Sequence, residues 1–144
     1  MFDNYVKMQR KAGVVNEPLT NDELYSFQKT ANAQLGHFLP FHYAEFMKTA
    51  NGYINGDKMI YCADTGIVYC KNKMQIPQYV IENFYLIVNH PNEPYLYVGK
   101  SDELHYVFDY KDNKYYGVTQ GLFKKVIVYP VFETLLREVL IGTT

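Results

Sequence analysis

The segment from Tyr95 to Val118 constrains the fold of this chain more than any other. Three runs, Tyr95 to Val98, Leu104 to Tyr110 and Lys114 to Val118, are rich in aromatic and β-branched residues. Turn-forming stretches separate them, at Gly99 to Glu103 and at Lys111-Asp112-Asn113. Runs so closely spaced read as a meander of strands. In the middle run Leu104, Tyr106, Phe108 and Tyr110 alternate with His105, Val107 and Asp109, so the two sets occupy opposite faces. Such alternation predicts a sheet covered by helices on one side and partly open on the other.

Helical periodicity surrounds the meander. From Phe2 to about Ala12, Phe2, Tyr5, Val6 and Met8 fall on one side of a helix that Gly13 stops. Thr20 and Glu23 have capping-box spacing, in which each side chain reaches the other's otherwise unpaired backbone N–H. The helix they open has an apolar stripe of Leu24, Phe27, Ala31 and Leu35 and ends at Gly36. A further helix is expected from Pro40 to Asn51-Gly52, burying Tyr43, Phe46, Met47 and Ala50 and exposing His42, Glu45, Lys48 and Thr49. After Gly56, the runs Lys58 to Cys62 and Ile67 to Cys70 flank Asp64-Thr65-Gly66 and read as a hairpin. Beyond Pro77, the positions Val80, Ile81, Phe84, Tyr85 and Val88 suit a helix, although Phe84 to Val88 alone would also suit a buried strand. Asn89 to Pro94 reads as a turn. A strand at Val126 to Tyr129 precedes Pro130 and a closing helix with Val131, Phe132, Leu135, Leu136, Val139 and Leu140 on its apolar face. No linker, low-complexity stretch or internal repeat divides the chain, so residues 1–144 are expected to form one α+β domain. Its sheet should be mainly antiparallel, of about five to six strands, flanked by helices.

Composition excludes several function classes. At 144 residues, 48% hydrophobic and 20% charged, the chain has the apolar content that disordered sequences lack. A formal net charge of −1 gives no broad basic footprint, so no nucleic-acid partner is expected. The first residues, Met1-Phe2-Asp3-Asn4-Tyr5, lack a basic segment leading into an apolar one. No run of about 18 apolar residues occurs. A cytoplasmic protein with no membrane partner is the expectation. Cys62 and Cys70 would be diagonal neighbours across their hairpin, which disfavours a disulfide and suits two half-buried thiols. The aromatic content, 15 Tyr and 9 Phe with no Trp, suits either a sheet core or an adhesive surface, because tyrosine joins a large apolar ring to a polar tip.

Catalytic constellations are not legible. Neither Ser26 nor Ser101 has the flanking glycines of a nucleophile elbow, and the nine glycines form no phosphate-cradling loop. His42 and Glu45 have half the spacing of a di-metal carboxylate site, without the second half. His37, His90 and His105 show no zinc spacing, so neither a metal nor a cofactor is expected. A Cys62–His105 thiolate dyad would need the base within hydrogen-bond reach of the sulfur. Asp102, Glu103, Asp109 and Asp112 cluster around two turns, as turn chemistry requires or as an acidic patch facing a basic partner would.

The order of motifs resembles the SUKH superfamily of bacterial immunity proteins, most closely its YrhA-like branch. The resemblance begins at Leu19-Thr20-Asn21-Asp22-Glu23-Leu24 and continues through the string from Leu39-Pro40 by Tyr43 and Phe46 to Asn51-Gly52. It resumes at Tyr95-Leu96-Tyr97-Val98-Gly99-Lys100-Ser101, Tyr106-Val107-Phe108-Asp109 and Phe132-Glu133-Thr134-Leu135-Leu136, covering about Val15 to Leu140. Many members carry Trp near the first strands, which this chain lacks, and Lys71 to Asn89 matches least. The resemblance implies an α+β fold and a non-enzymatic role in neutralising a cognate polymorphic toxin. Aromatic anchors with an acidic rim would serve such binding, and Tyr53, Asp57 and Tyr61, with Asp102, Glu103, Tyr115 and Tyr116, are the candidates. A regulatory or scaffold domain binding an endogenous protein or a small ligand is the alternative.

Overall fold

In the computed structural model, which describes residues 17–63 and 76–139, helix α1 (Asn21–Leu35) starts where the capping spacing places it. Thr20 Oγ1 accepts from the Glu23 N–H at 3.1 Å, and Glu23 Oε1 accepts from the Thr20 N–H at 2.9 Å. Gly36 closes the helix with φ 76°, donating its N–H to the Asn32 carbonyl. Phe27 and Ala31 are buried, with Leu24 and Leu35 packed against the same core.

Helix α2 (Phe41–Met47) is shorter than predicted. Pro40 is its N-cap, Thr49 and Ala50 both donate to the Phe46 carbonyl, and the chain leaves the helix there. Asn51-Gly52 is not the helix stop but the entry to the sheet. Asn51 Oδ1 accepts from the Ala63 N–H at 2.8 Å, and Gly52, at φ 86°, lies against Cys62, where a Cβ would come within 3.0 Å of the cysteine Cβ. The faces of α2 are as expected: Tyr43, Phe46 and Met47 are buried, while His42 is exposed and Glu45 pairs with Lys48 at 3.1 Å.

Six strands form one antiparallel open sheet in sequence order: β1 (Tyr53–Asn55), β2 (Lys58–Ile60), β3 (Tyr95–Lys100), β4 (Leu104–Asp109), β5 (Lys114–Thr119) and β6 (Lys125–Tyr129). Helices α3 (Tyr79–Asn89) and α4 (Phe132–Arg137) complete an α+β fold. Strand β2 turns back on β1 through Gly56-Asp57, a two-residue loop with Gly at the first central position and φ 62°. The expected Asp64-Thr65-Gly66 turn, the Ile67 to Cys70 arm, the helix from Phe2 and Leu140 lie outside the described residues. On its other side β2 meets β3 at Gly99, where a Cβ would sit 2.1 Å from the Met59 carbonyl oxygen.

The stretch after Pro77 is helical, but its buried face differs from expectation. Tyr79, Val80, Asn83 and Leu86 face inward, whereas Ile81, Phe84, Tyr85 and Val88 face solvent. Asn83 decides the orientation. Its side chain donates to the Tyr97 carbonyl and accepts from the Tyr97 N–H, both at 2.7 Å, and also donates to the Tyr79 carbonyl. The amide thus stands in for a strand residue beside β3, beyond the end of β2. In α4, Phe132, Leu135 and Leu136 are buried with Val139 just beyond, while Val131 is the exposed N-cap rather than part of the apolar face.

Register confirms the two faces of β4. On one, Tyr106 contacts Tyr129, and Tyr115, opposite Phe108, packs on Phe132 of α4. Phe132 also meets Tyr43 and Phe46, and Tyr43 stacks on Tyr79 with Phe27 edge-on to both. The other face is more covered than alternation alone predicts, because His105, Val107 and Asp109 are all buried. It opens toward β5 and β6, where Lys114 and Val128 are exposed and Tyr116 is partly so.

Candidate interaction surface

Three of the seven candidate contact residues belong to the core. Tyr53 and Tyr61 are fully buried and Tyr115 nearly so, Tyr53 and Tyr115 from their positions in β1 and β5 and Tyr61 just past the end of β2. Tyr61 lends its carbonyl to the Tyr43 hydroxyl at 2.7 Å, and burial pushes the pKa of all three phenols up. They hold the sheet to the helices and present nothing to a partner, which corrects the expectation that contacts begin at Tyr53.

Tyr116 stays at the surface but away from the remaining candidates. Its hydroxyl donates to Asp112 at 2.6 Å, and Lys125 lies 4.0 Å above its ring while bonding Asp109 at 2.8 Å. The four-carboxylate patch therefore divides. Asp109 and Asp112, at the β4–β5 turn, are offset by Lys125, and the carboxyl of Asp112 is held below its usual range by its bonds to Tyr116 and Lys114 and by the nearby cations despite some desolvation.

Asp57, Asp102 and Glu103 are brought together at the opposite end of the sheet. Asp57 Oδ2 accepts from the Asp102 N–H at 3.1 Å, joining the β1–β2 and β3–β4 turns. Gln120, from the β5–β6 turn, donates its side-chain amide to Ser101 O at 2.7 Å and its backbone N–H to Glu103 O at 3.2 Å. Ser101 Oγ accepts from the backbone N–H groups of Glu103 and Leu104. Three turns are thereby laced into one surface.

That surface carries an apolar anchor that sequence reading missed. Leu122 is 84% exposed, the most exposed of the large hydrophobic residues described. Its position follows from its neighbours: Gly121 has φ 91°, and Phe123 is held at φ 55°, a conformation unusual for a bulky residue. Phe123 tolerates it because its ring is buried, stacked on His105 at 5.6 Å and packed by Tyr97 and His90. With Phe123 plugged inward, Leu122 is directed outward. The signal in the sequence was Gly121 beside two apolar residues in a turn too short to bury both.

The chemistry proposed for Cys62 and His105 is not assembled. Cys62 Sγ lies 3.4 Å from the Ile76 carbonyl and 3.5 Å from that of Pro77, contacts in which the protonated thiol donates. His105 sits among Tyr97 and Phe123, its Nδ1 without a hydrogen bond, and burial with Lys100 and His90 nearby pulls its pKa down to about 4. Among the described residues no three His, Cys, Asp or Glu side chains gather as a metal site, and no helix is long and apolar enough to cross a membrane. No protein-family model and no curated protein matches the chain.

Proposed function

We propose that this chain is a non-enzymatic protein-binding domain of the immunity type, which neutralises a cognate toxin by covering its working surface. The observation that carries the reading is the exposed Leu122 beside Asp57, Asp102 and Glu103 on three hydrogen-bonded turns. An apolar anchor with a charged rim is the composition that protein interfaces favour, and a surface already fixed by hydrogen bonds loses little freedom on binding. The resemblance to the SUKH superfamily supports the choice of partner. The acidic rim would meet a basic surface on the toxin.

The test is coexpression with the protein encoded by the adjacent reading frame, scored by growth rescue and by affinity of the purified pair. Wild-type chain should rescue growth, and Leu122→Lys, exposed and so without effect on folding, should weaken binding at least about tenfold. Absence of binding to any neighbour-encoded protein would overturn the proposal.

A further inference from the structure

Strand β6 is the last in the sheet and pairs with β5 alone. Successive residues of such a strand turn their backbone groups alternately toward the neighbour and away from it. Those turned away from β5 make no backbone hydrogen bond among the described residues. The opposite edge of the sheet is covered: Tyr53 and Ile54 of β1 are buried, and Asn55 donates its side-chain amide to the Val139 carbonyl at 3.0 Å. Along β6, Val126 and Val128 are 50 and 54% exposed, and no charged residue lies from Val126 to Tyr129. Natural edges are ordinarily blunted by charge, proline or a bulge. Here Lys125 is drawn over Tyr116 to Asp109, Pro130 lies beyond the strand, and the irregularity of the β5–β6 ladder falls at its Lys125 end. Ile127 to Tyr129 remains a regular, unguarded edge.

We propose that this edge receives an extended segment of the partner protein as an added strand, an inference that rests on the toxin-binding reading and carries its contact surface from the Leu122 turn along β6. Three observations select that occupant. A row of free N–H and C=O groups is satisfied by a strand, whereas a helix has already bonded its own backbone internally. The edge is continuous with the anchor, because Leu122, Lys124, Val126 and Val128 are all exposed, so a segment lying along β6 runs on to the Leu122 turn. A second copy of the chain does not fit that path. Antiparallel pairing about Ile127 would set Lys124 against Pro130, which has no N–H, and Leu122 against Phe132, where the other copy has already turned into α4. Parallel pairing would set Lys124 and Lys125 beside their own counterparts, like charge against like. The chemistry of the incoming segment follows: apolar side chains where it passes Val126 and Val128, and a carboxylate at Lys124, which takes part in none of the ion pairs among the described residues.

Hydrogen exchange of the full chain, alone and with the protein encoded by the adjacent reading frame, tests the added strand. Binding should slow exchange of the amides of residues 124–129 at least about tenfold. The double variant Val126→Lys, Val128→Lys, at two exposed positions, should raise the dissociation constant at least about tenfold, whereas Ile81→Lys on α3, 58% exposed, should leave it unchanged. Far-ultraviolet circular dichroism of each variant checks the fold. Binding that Leu122→Lys weakens, but with the β6 amides unprotected or the double lysine variant unaffected, would overturn the added strand and keep the toxin-binding reading. No binding to any neighbour-encoded protein overturns both. A wild-type chain that self-associates in sedimentation equilibrium, and ceases to do so in the double lysine variant, would assign the edge to a second copy and overturn the proposal.

Discussion

Asn83 shows what one polar residue contributes when it is buried with every bond made. Both backbone groups of Tyr97 depend on its amide, so replacing it by Leu strands an N–H and a carbonyl away from water. Leaving such groups unpaired costs about 1–3 kcal/mol each. Asn83→Leu should therefore lower unfolding free energy by roughly 2–6 kcal/mol in urea titrations, at the upper end of single-residue effects. Nothing in the periodicity of α3 disclosed this, because an Asn among Val, Ile and Phe reads as the polar side of a helix. His105 is the converse case, buried with an unpaired nitrogen. Its folded pKa of about 4 lies below the ordinary 6.5, so the unfolded chain binds the proton more readily. Its contribution to stability is complete above about pH 6.5 and is lost as pH falls toward 4. Thermal melts from pH 7 to 4.5 should show that decline, and His105→Phe, which keeps the stack on Phe123, should flatten it.

Elements were legible where a local signal bounded them and misread where tertiary contacts chose the boundary. Thr20, Glu23 and Gly36 act within one helix, so α1 is where the sequence puts it. The end of α2 instead depends on Asn51 reaching Ala63 and Gly52 meeting Cys62, partners that spacing does not disclose. The reversal between β1 and β2 was signalled by Gly56-Asp57, a dipeptide overshadowed by the stronger-looking Asp64-Thr65-Gly66. Strand β2 is held to the rest of the sheet at Gly99, where the Met59 carbonyl occupies the space a side chain would need. Gly99→Ala must push β2 away from β3, at a cost of about 1–3 kcal/mol. Hydrogen exchange should then accelerate at Met59, Ile60 and Tyr61 while the β4–β5 amides keep their relative protection. Uniform acceleration across the sheet would show that the effect is global rather than confined to the β2–β3 junction.

At the scale of the whole molecule, a net charge of −1 provides little steering, so any long-range attraction must come from how charge is distributed. The two ends of the sheet differ in this respect. Lys125 is ion-paired to Asp109 and Asp112 at one end, while at the other Asp57, Asp102 and Glu103 take part in none of the ion pairs among the described residues and share their turns with Lys58, Lys100 and Lys124 around exposed Leu122. This asymmetry was only half readable in the sequence. The acidic turns were visible, but which of them shared an end, and which tyrosines lay behind them, depended on sheet order and register. The asymmetry predicts how a basic toxin would be captured. Association should be fast at low ionic strength and slow by about tenfold between roughly 20 mM and 500 mM salt, with dissociation much less affected. The triple variant Asp57→Asn, Asp102→Asn, Glu103→Gln removes the charge yet retains an acceptor at position 57 for the Asp102 N–H, so the turns stay joined. Stopped-flow mixing with the toxin should show its association rate reduced at low salt and nearly independent of salt thereafter. A variant whose salt dependence matched the wild type would place the steering charge elsewhere on the surface, while Leu122→Lys would still report separately on the anchor.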